Sequence, residues 1–160
     1  MIDVQDYFDL VVKGFTGKKA TESEEMTIFT EDVFRWRWMS RLRIMSFVTL
    51  ADELSPDDMK QYMMTVSRHA MKARSKFGEP SCCIGVVMCE NPSQEAIDFA
   101  LQRPQKHPAL SRYSVVADLK TGEVHYYCGP ILYGILYEKF EREYINGHFA
   151  LPMEILKQKL

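Results

Sequence analysis

Four arginines raise the first question of chemistry. In FRWRWMSRLRIMSF, residues 34–47, Arg35, Arg37, Arg41 and Arg43 alternate with aromatic and aliphatic side chains. Alternate residues on an extended strand stand roughly 6.5–7 Å apart, so such a row could meet successive phosphates or carboxylates through paired N–H···O bonds. The commoner use of such a row is a solvated sheet face, where arginines pair with acids on a neighbouring element or lay their stems across it. Read as a helix, the four would spread around the circumference and leave no apolar stripe. At period two, Phe34, Trp36, Trp38, Leu42 and Ile44 fall on one side and the arginines on the other, which predicts strand. A nucleic-acid platform needs aromatic and basic groups on one face. The tryptophans therefore count against nucleic acid and leave an acidic protein or a small anionic ligand as the partner.

The remaining constellations are weaker. Cys82 and Cys83 are adjacent, and Cys89 lies two residues before a predicted helix start. A nucleophilic thiol needs a base or a helix N-terminus to lower its pKa, and no local signature joins these cysteines to any of the four histidines. Buried structural thiols are the expectation. His125 and Cys128, three apart on a strand, face opposite ways and have no second ligand pair, so no metal centre is expected. Asp118 and Lys120 form an acid-x-lysine pair, half of a magnesium nuclease site, but its second acid is not identifiable and turn chemistry selects the same residues. There is no glycine-rich phosphate loop, and no cofactor is expected. For an enzyme, Cys89, His125 and the acids near Asp118 are the least poor candidates.

The elements that must position these residues follow from caps and periodicity. Asp3 caps a helix over residues 2–15, and the polar GKKATESEE reads as a mobile loop. Residues 33–51 read as one bent strand or as a hairpin turning near Met39-Ser40-Arg41. Ser55 and Pro56 open a helix whose stripe runs Met59, Tyr62, Met63, Val66, Ala70, Ala73, Phe77. SCCIGVVMCE is a buried central strand. Asn91 or Ser93 caps a third helix that Pro104 ends, and Lys120-Thr121-Gly122 joins two strands as a hairpin. ILYGILYEKFEREYI makes a fourth helix, closed by Asn146-Gly147, and Pro152 opens a short last one. This order predicts a single α+β domain over residues 1–160, with a mostly antiparallel sheet of four or five strands and helices packed mainly on one face.

Composition sets the outer bounds. The 160 residues are 46% hydrophobic and 26% charged, enough for a core without disulfide or metal. A formal net charge of −2 gives no global pull toward nucleic acid or anionic membrane, so anion binding has to come from a local patch. The N-terminus lacks a basic signal region, apolar runs fall far short of the ~20 residues that span a bilayer, and four cysteines without a CxxC pair fit a reducing compartment. No membrane association and a cytoplasmic location are expected. The fourth helix carries Tyr133, Tyr137, Phe140 and Tyr144 beside Ile131, Leu132, Ile135 and Leu136, apolar on more than one side, as at an interface. The sequence thus reads as a small intracellular binding or interaction domain, a homo-oligomer through those aromatics, with Arg35, Arg37, Arg41 and Arg43 as its face for an anion or acidic partner.

Overall fold

Asp3 starts the first element: its carboxylate accepts the amides of Gln5 and Asp6 at 2.8 and 3.1 Å, opening helix α1 (Val4–Gly14). The computed structural model describes residues 1–23, 26–35, 40–73, 80–104, 106–107, 110–129 and 135–159. After α1 the chain turns at Gly17, whose φ of +80° is left-handed. It then enters three antiparallel strands, β1 (Lys19–Ser23), β2 (Met26–Arg35) and β3 (Ser40–Leu54). The segment expected as a mobile loop therefore contains β1, the sheet's edge. Its polarity is what an edge strand needs to avoid pairing with other chains.

The centre of the chain overturns the expected architecture. β3 leads through α2 (Pro56–Ala73) to β4 (Ser81–Pro92), and β4 leads through α3 (Gln94–Ala100) and the short β5 (Lys106–His107) to β6 (Leu110–Asp118). Both β3–β4 and β4–β6 are parallel. β7 (Glu123–His125) returns antiparallel on β6 through a turn at Gly122, φ +69°. Across the sheet the order is β1-β2-β3-β4-β6-β5, with β7 sharing the outer side of β6. The sheet is therefore mixed, not the expected mostly antiparallel sheet of four or five strands. Parallel neighbours need crossovers, and here each crossover is a helix.

The same topology corrects the expected helix placement. α2 and α3 pack on one face with Met45, Phe47, Cys83, Val87, Cys89 and Val116. α1, α4 (Ile135–Ile145) and α5 (Leu151–Lys157) cover the other face with Ile44, Ile84, Val86, Tyr113 and Val115. Coverage on both sides explains why β4 is buried at every position from Ser81 to Cys89. α4 does not close at Asn146-Gly147. The backbone continues through a π-helical turn, Asn146–Ala150, into α5. Tyr7 donates its hydroxyl to the Phe149 carbonyl of that turn at 3.0 Å, satisfying a group that regular helix bonding would have used. Among the described residues, no helix is long and apolar enough to cross a membrane.

Two local choices fix α2 over the sheet. At its start the Asp58 amide donates to Ser55 Oγ (3.2 Å), while the Ser55 amide and hydroxyl donate to Asp58 Oδ2, a reciprocal cap. In its middle, α2 passes close above Gly85 of β4. A Cβ there would lie 2.4 Å from Met63 Sδ and 3.2 Å from Tyr62 Cε1. The Met63 thioether can swing aside, but Tyr62 is tied by its hydroxyl to the carbonyls of Phe47 (2.8 Å) and Val86 (3.2 Å). Gly85→Ala is expected to destabilise by about 1 kcal/mol and Gly85→Val by up to about 3 kcal/mol. Both should lower the urea midpoint without changing the slope.

Candidate functional site

The arginine row is reorganised by the hairpin. β2 and β3 pair Phe34 with Arg41, Asp32 with Arg43, and position 35 with Ser40. Directly paired residues share a face, so Phe34 falls on the side of Arg41, and Asp32 on that of Arg43. Period-two sorting across the whole segment assumed one continuous strand, and a reversal inverts the parity. Arg37, with Trp36 and Trp38, lies outside the described residues. Arg41 is exposed. Arg43 grips Asp32 with Nε (2.7 Å) and Nη2 (2.9 Å) and donates Nη1 to the Ala73 carbonyl at 2.9 Å. It thereby clamps the hairpin to the last turn of α2, where a cation also suits the helix dipole. Those hydrogen bonds from Arg43 hold the Asp32 carboxyl below its ordinary pKa.

The described aromatic residues of α4 contribute to the core beneath it. Tyr144 is buried, and Tyr137 and Phe140 pack partly buried against the same core. The Tyr144 hydroxyl donates to Glu31 at 3.0 Å, and Glu31 also pairs with Lys18. The hydroxyls of Tyr137 and Ser40 lie 3.0 Å apart. These residues are tyrosines because α4 must reach polar groups on β2 and β3 across an apolar layer. Tyr133 lies outside the described residues.

The sequence candidates for catalysis hold structural positions. Asp118 Oδ1 accepts the amides of Lys120 (2.9 Å) and Thr121 (3.1 Å), forming the turn before β7. His125 stands 3.9 Å from Glu123 across that strand. Cys82, Cys83 and Cys89 are buried. Desolvation raises all three thiols, Cys82 well above the ordinary value and Cys83 to about 12. None is poised as a thiolate. Among the described residues, no group of three His, Cys, Asp or Glu side chains could hold a metal ion.

The concave site lies elsewhere, between α2 and α3. α2 has 18 residues and α3 only 7; Pro104 follows shortly after α3, where further helix would lose a donor. Among the described residues no helix covers the far half of the α2 flank, and Arg112 and Ser114 of β6 are only partly buried beneath it. The result is a groove of about 760 Å³, within the range of small-molecule sites. Its α2 wall repeats at helical spacing, Lys60, Met63, Met64, Ser67 and Met71, a second stripe beside the core stripe. Phe99 and Pro104 form the opposite wall, and Arg112 and Ser114 of β6 form the floor.

Its electrostatics have one sign. Lys60, Arg68, Lys72, Arg103 and Arg112 line it, and among the described residues no acidic one does. Lys60 stands 3.6 Å from exposed Asp57, a pairing of small value in water. Arg112 is different: its Nε is buried and has no hydrogen-bond partner among the described residues. A buried donor left without a partner costs about 1–3 kcal/mol, so the floor of the groove is short of an acceptor. Sequence reading passed over these residues. The available signals were the second stripe on α2 and an arginine inside the otherwise apolar LSRYSVVAD.

Two outcomes check this account. Native protein treated with a maleimide should label Cys128, which is exposed, and leave Cys82, Cys83 and Cys89 unlabelled until urea is added; digestion and mass spectrometry read the sites. Because the Asp32 pKa is lowered on folding, its contribution is present above the unfolded aspartate pKa of about 3.9 and is lost as pH falls through the folded value. Asp32→Asn should therefore lower the urea midpoint at pH 7 and converge on the parent protein as pH falls through the folded value of Asp32. Against models of protein families and against curated proteins, the chain finds no match.

Proposed function

We propose that this chain is a binding domain for an anionic ligand and that the ligand occupies the groove between α2 and α3. The observation carrying this reading is Arg112, a guanidinium at the floor of a concave site whose buried Nε has no partner among the described residues. A carboxylate or phosphate is what such a fork accepts, through two parallel bonds. The four further cations around the groove attract anions at long range. Of the 35–43 segment, Arg43 contributes at one end of the same face, holding the end of α2 in place and so keeping the groove wall in register. This reading replaces an exposed arginine ladder with a pocket, and keeps the expectation of a small anion or acidic partner.

Fluorescence titration with anilinonaphthalene sulfonate, an amphipathic anion small enough for the groove, tests it. One saturable site is expected, weakened at least about tenfold by Arg112→Gln and by Arg68→Glu. Raising ionic strength from about 0.05 to 0.5 M should weaken it further, as screening requires. Absence of saturable binding, or equal binding by both variants, overturns the reading.

A further inference from the structure

We infer that the ligand is a medium-chain carboxylate, bound with its headgroup on Arg112 and its unbranched tail running toward the junction of α2 and α3. This rests on the anion-binding reading above and goes further, assigning a chemical class and an orientation.

The orientation comes from two contacts that calibrate α2 against the sheet. At one end, Arg43 donates to the Ala73 carbonyl. In the middle, Met63 lies against Gly85. Gly85 pairs with Phe47 on one side and Ser114 on the other, and Arg43 pairs with Ser81, level with Leu110. From Arg43 to Phe47 is about 13 Å of strand, and from Ala73 to Met63 about 15 Å of helix, so α2 runs antiparallel and nearly aligned. On that scale Arg112, which pairs with Cys83, is level with Arg68. Two guanidiniums thus meet near the middle of the groove, one from the floor and one from the wall.

From that point the two directions differ. Toward the end of α2 lie Met71, Lys72, Arg103 and Pro104, largely cationic. Toward its middle lie Met63, Met64 and Phe99, and beyond them Met59 of α2 and Ala96 of α3 belong to the same buried core cluster. The second direction is apolar and closing, and it ends at Lys60. From Arg68 to Lys60 is eight residues, about 12 Å, the length of roughly nine methylenes. Methionine walls suit such a tail, because unbranched thioethers adapt to a flexible chain better than branched side chains do. A carboxylate fits better than a phosphate monoester dianion, because a single planar pair of oxygens matches the one guanidinium fork held at the floor.

Competition against anilinonaphthalene sulfonate with hexanoate, octanoate, decanoate, dodecanoate and tetradecanoate tests the assignment. Affinity should rise about two- to fourfold per methylene up to octanoate or decanoate, then stop rising as the tail passes Lys60. Octanol and octylamine should bind at least about tenfold more weakly than octanoate, and Arg112→Gln should bring octanoate down to the level of octanol. Arg68→Gln, on the exposed side of α2, gives the same loss in smaller degree if Arg112→Gln lowers the urea midpoint. Met64→Asn should flatten the dependence on chain length and spare the preference for the acid over the alcohol. Octanol equal to octanoate, affinity still climbing through tetradecanoate, or octyl phosphate binding tenfold tighter than octanoate each overturns the assignment. So does competition by a glutamate-rich amphipathic peptide where no fatty acid competes. If the sulfonate binds in the groove and no carboxylate displaces it, this inference fails and the anion reading stands. If the sulfonate does not bind, that reading itself fails.

Discussion

A parallel strand at the centre of a sheet must be covered on both faces, and this constraint shapes the molecule. β4 has parallel partners on each side, and each partnership requires the chain to cross from one end of the sheet to the other. α2 and α3 make those crossings on one face and cover it as they do so. The opposite face of β4 has no crossover of its own. It is closed by α1, α4 and α5, brought in from the two ends of the chain. The two faces are therefore built by different means, and they end up different in finish.

The face under α1, α4 and α5 is sealed and cross-tied. Tyr7 reaches the π-helical turn, Tyr144 reaches Glu31, and Ser111 donates to the buried Glu141 at 2.6 Å. Each tie places a polar group in an apolar layer and satisfies it, which fixes one docking angle for helices that sequence connection does not constrain. On the α2–α3 face the crossovers already constrain position, so fewer ties are needed, and the inequality of the two helices leaves part of β6 open. The opening follows from chain length: a third or fourth turn on α3 would fill it. The ligand site proposed here is the space that this missing helix leaves.

Local signals in the sequence were strong where a single element decides its own ends. Ser55 with Asp58, Ser93 accepting the Ala96 amide at 3.2 Å, and the Gly122 turn all act within a few residues and were legible. What failed to read were relations between elements. The arginine row looked one-sided because the alternation was followed across a reversal, and only the pairing of Phe34 with Arg41 shows where parity inverts. The sheet looked antiparallel because hairpins at both flanks have explicit turn signals, whereas a parallel pairing has none beyond the order strand, helix, strand. The hydrogen bonds of the Tyr137 and Tyr144 hydroxyls toward β3 and β2 had no local signal, because those strands are about a hundred residues away in the chain.

Arg112 shows why the site was harder to see than the fold. In LSRYSVVAD it is one charged residue in a buried strand, and a sequence reader expects such a residue to find a carboxylate. The chain has acids enough to supply one. They lie elsewhere: Asp3, Asp6 and Asp9 belong to the start of α1, Glu138 is taken by Arg142 at 2.6 Å, and Asp32 is taken by Arg43. With a net charge of −2 and five cations gathered around one groove, the rest of the molecule is correspondingly acidic. That segregation has a physical consequence. On the reading proposed above, such a field would steer an approaching anion toward the groove, and the Arg112 guanidinium would supply its recognition. Among the described residues no carboxylate bonds the Arg112 Nε, and it is this missing acceptor that the proposed ligand would supply.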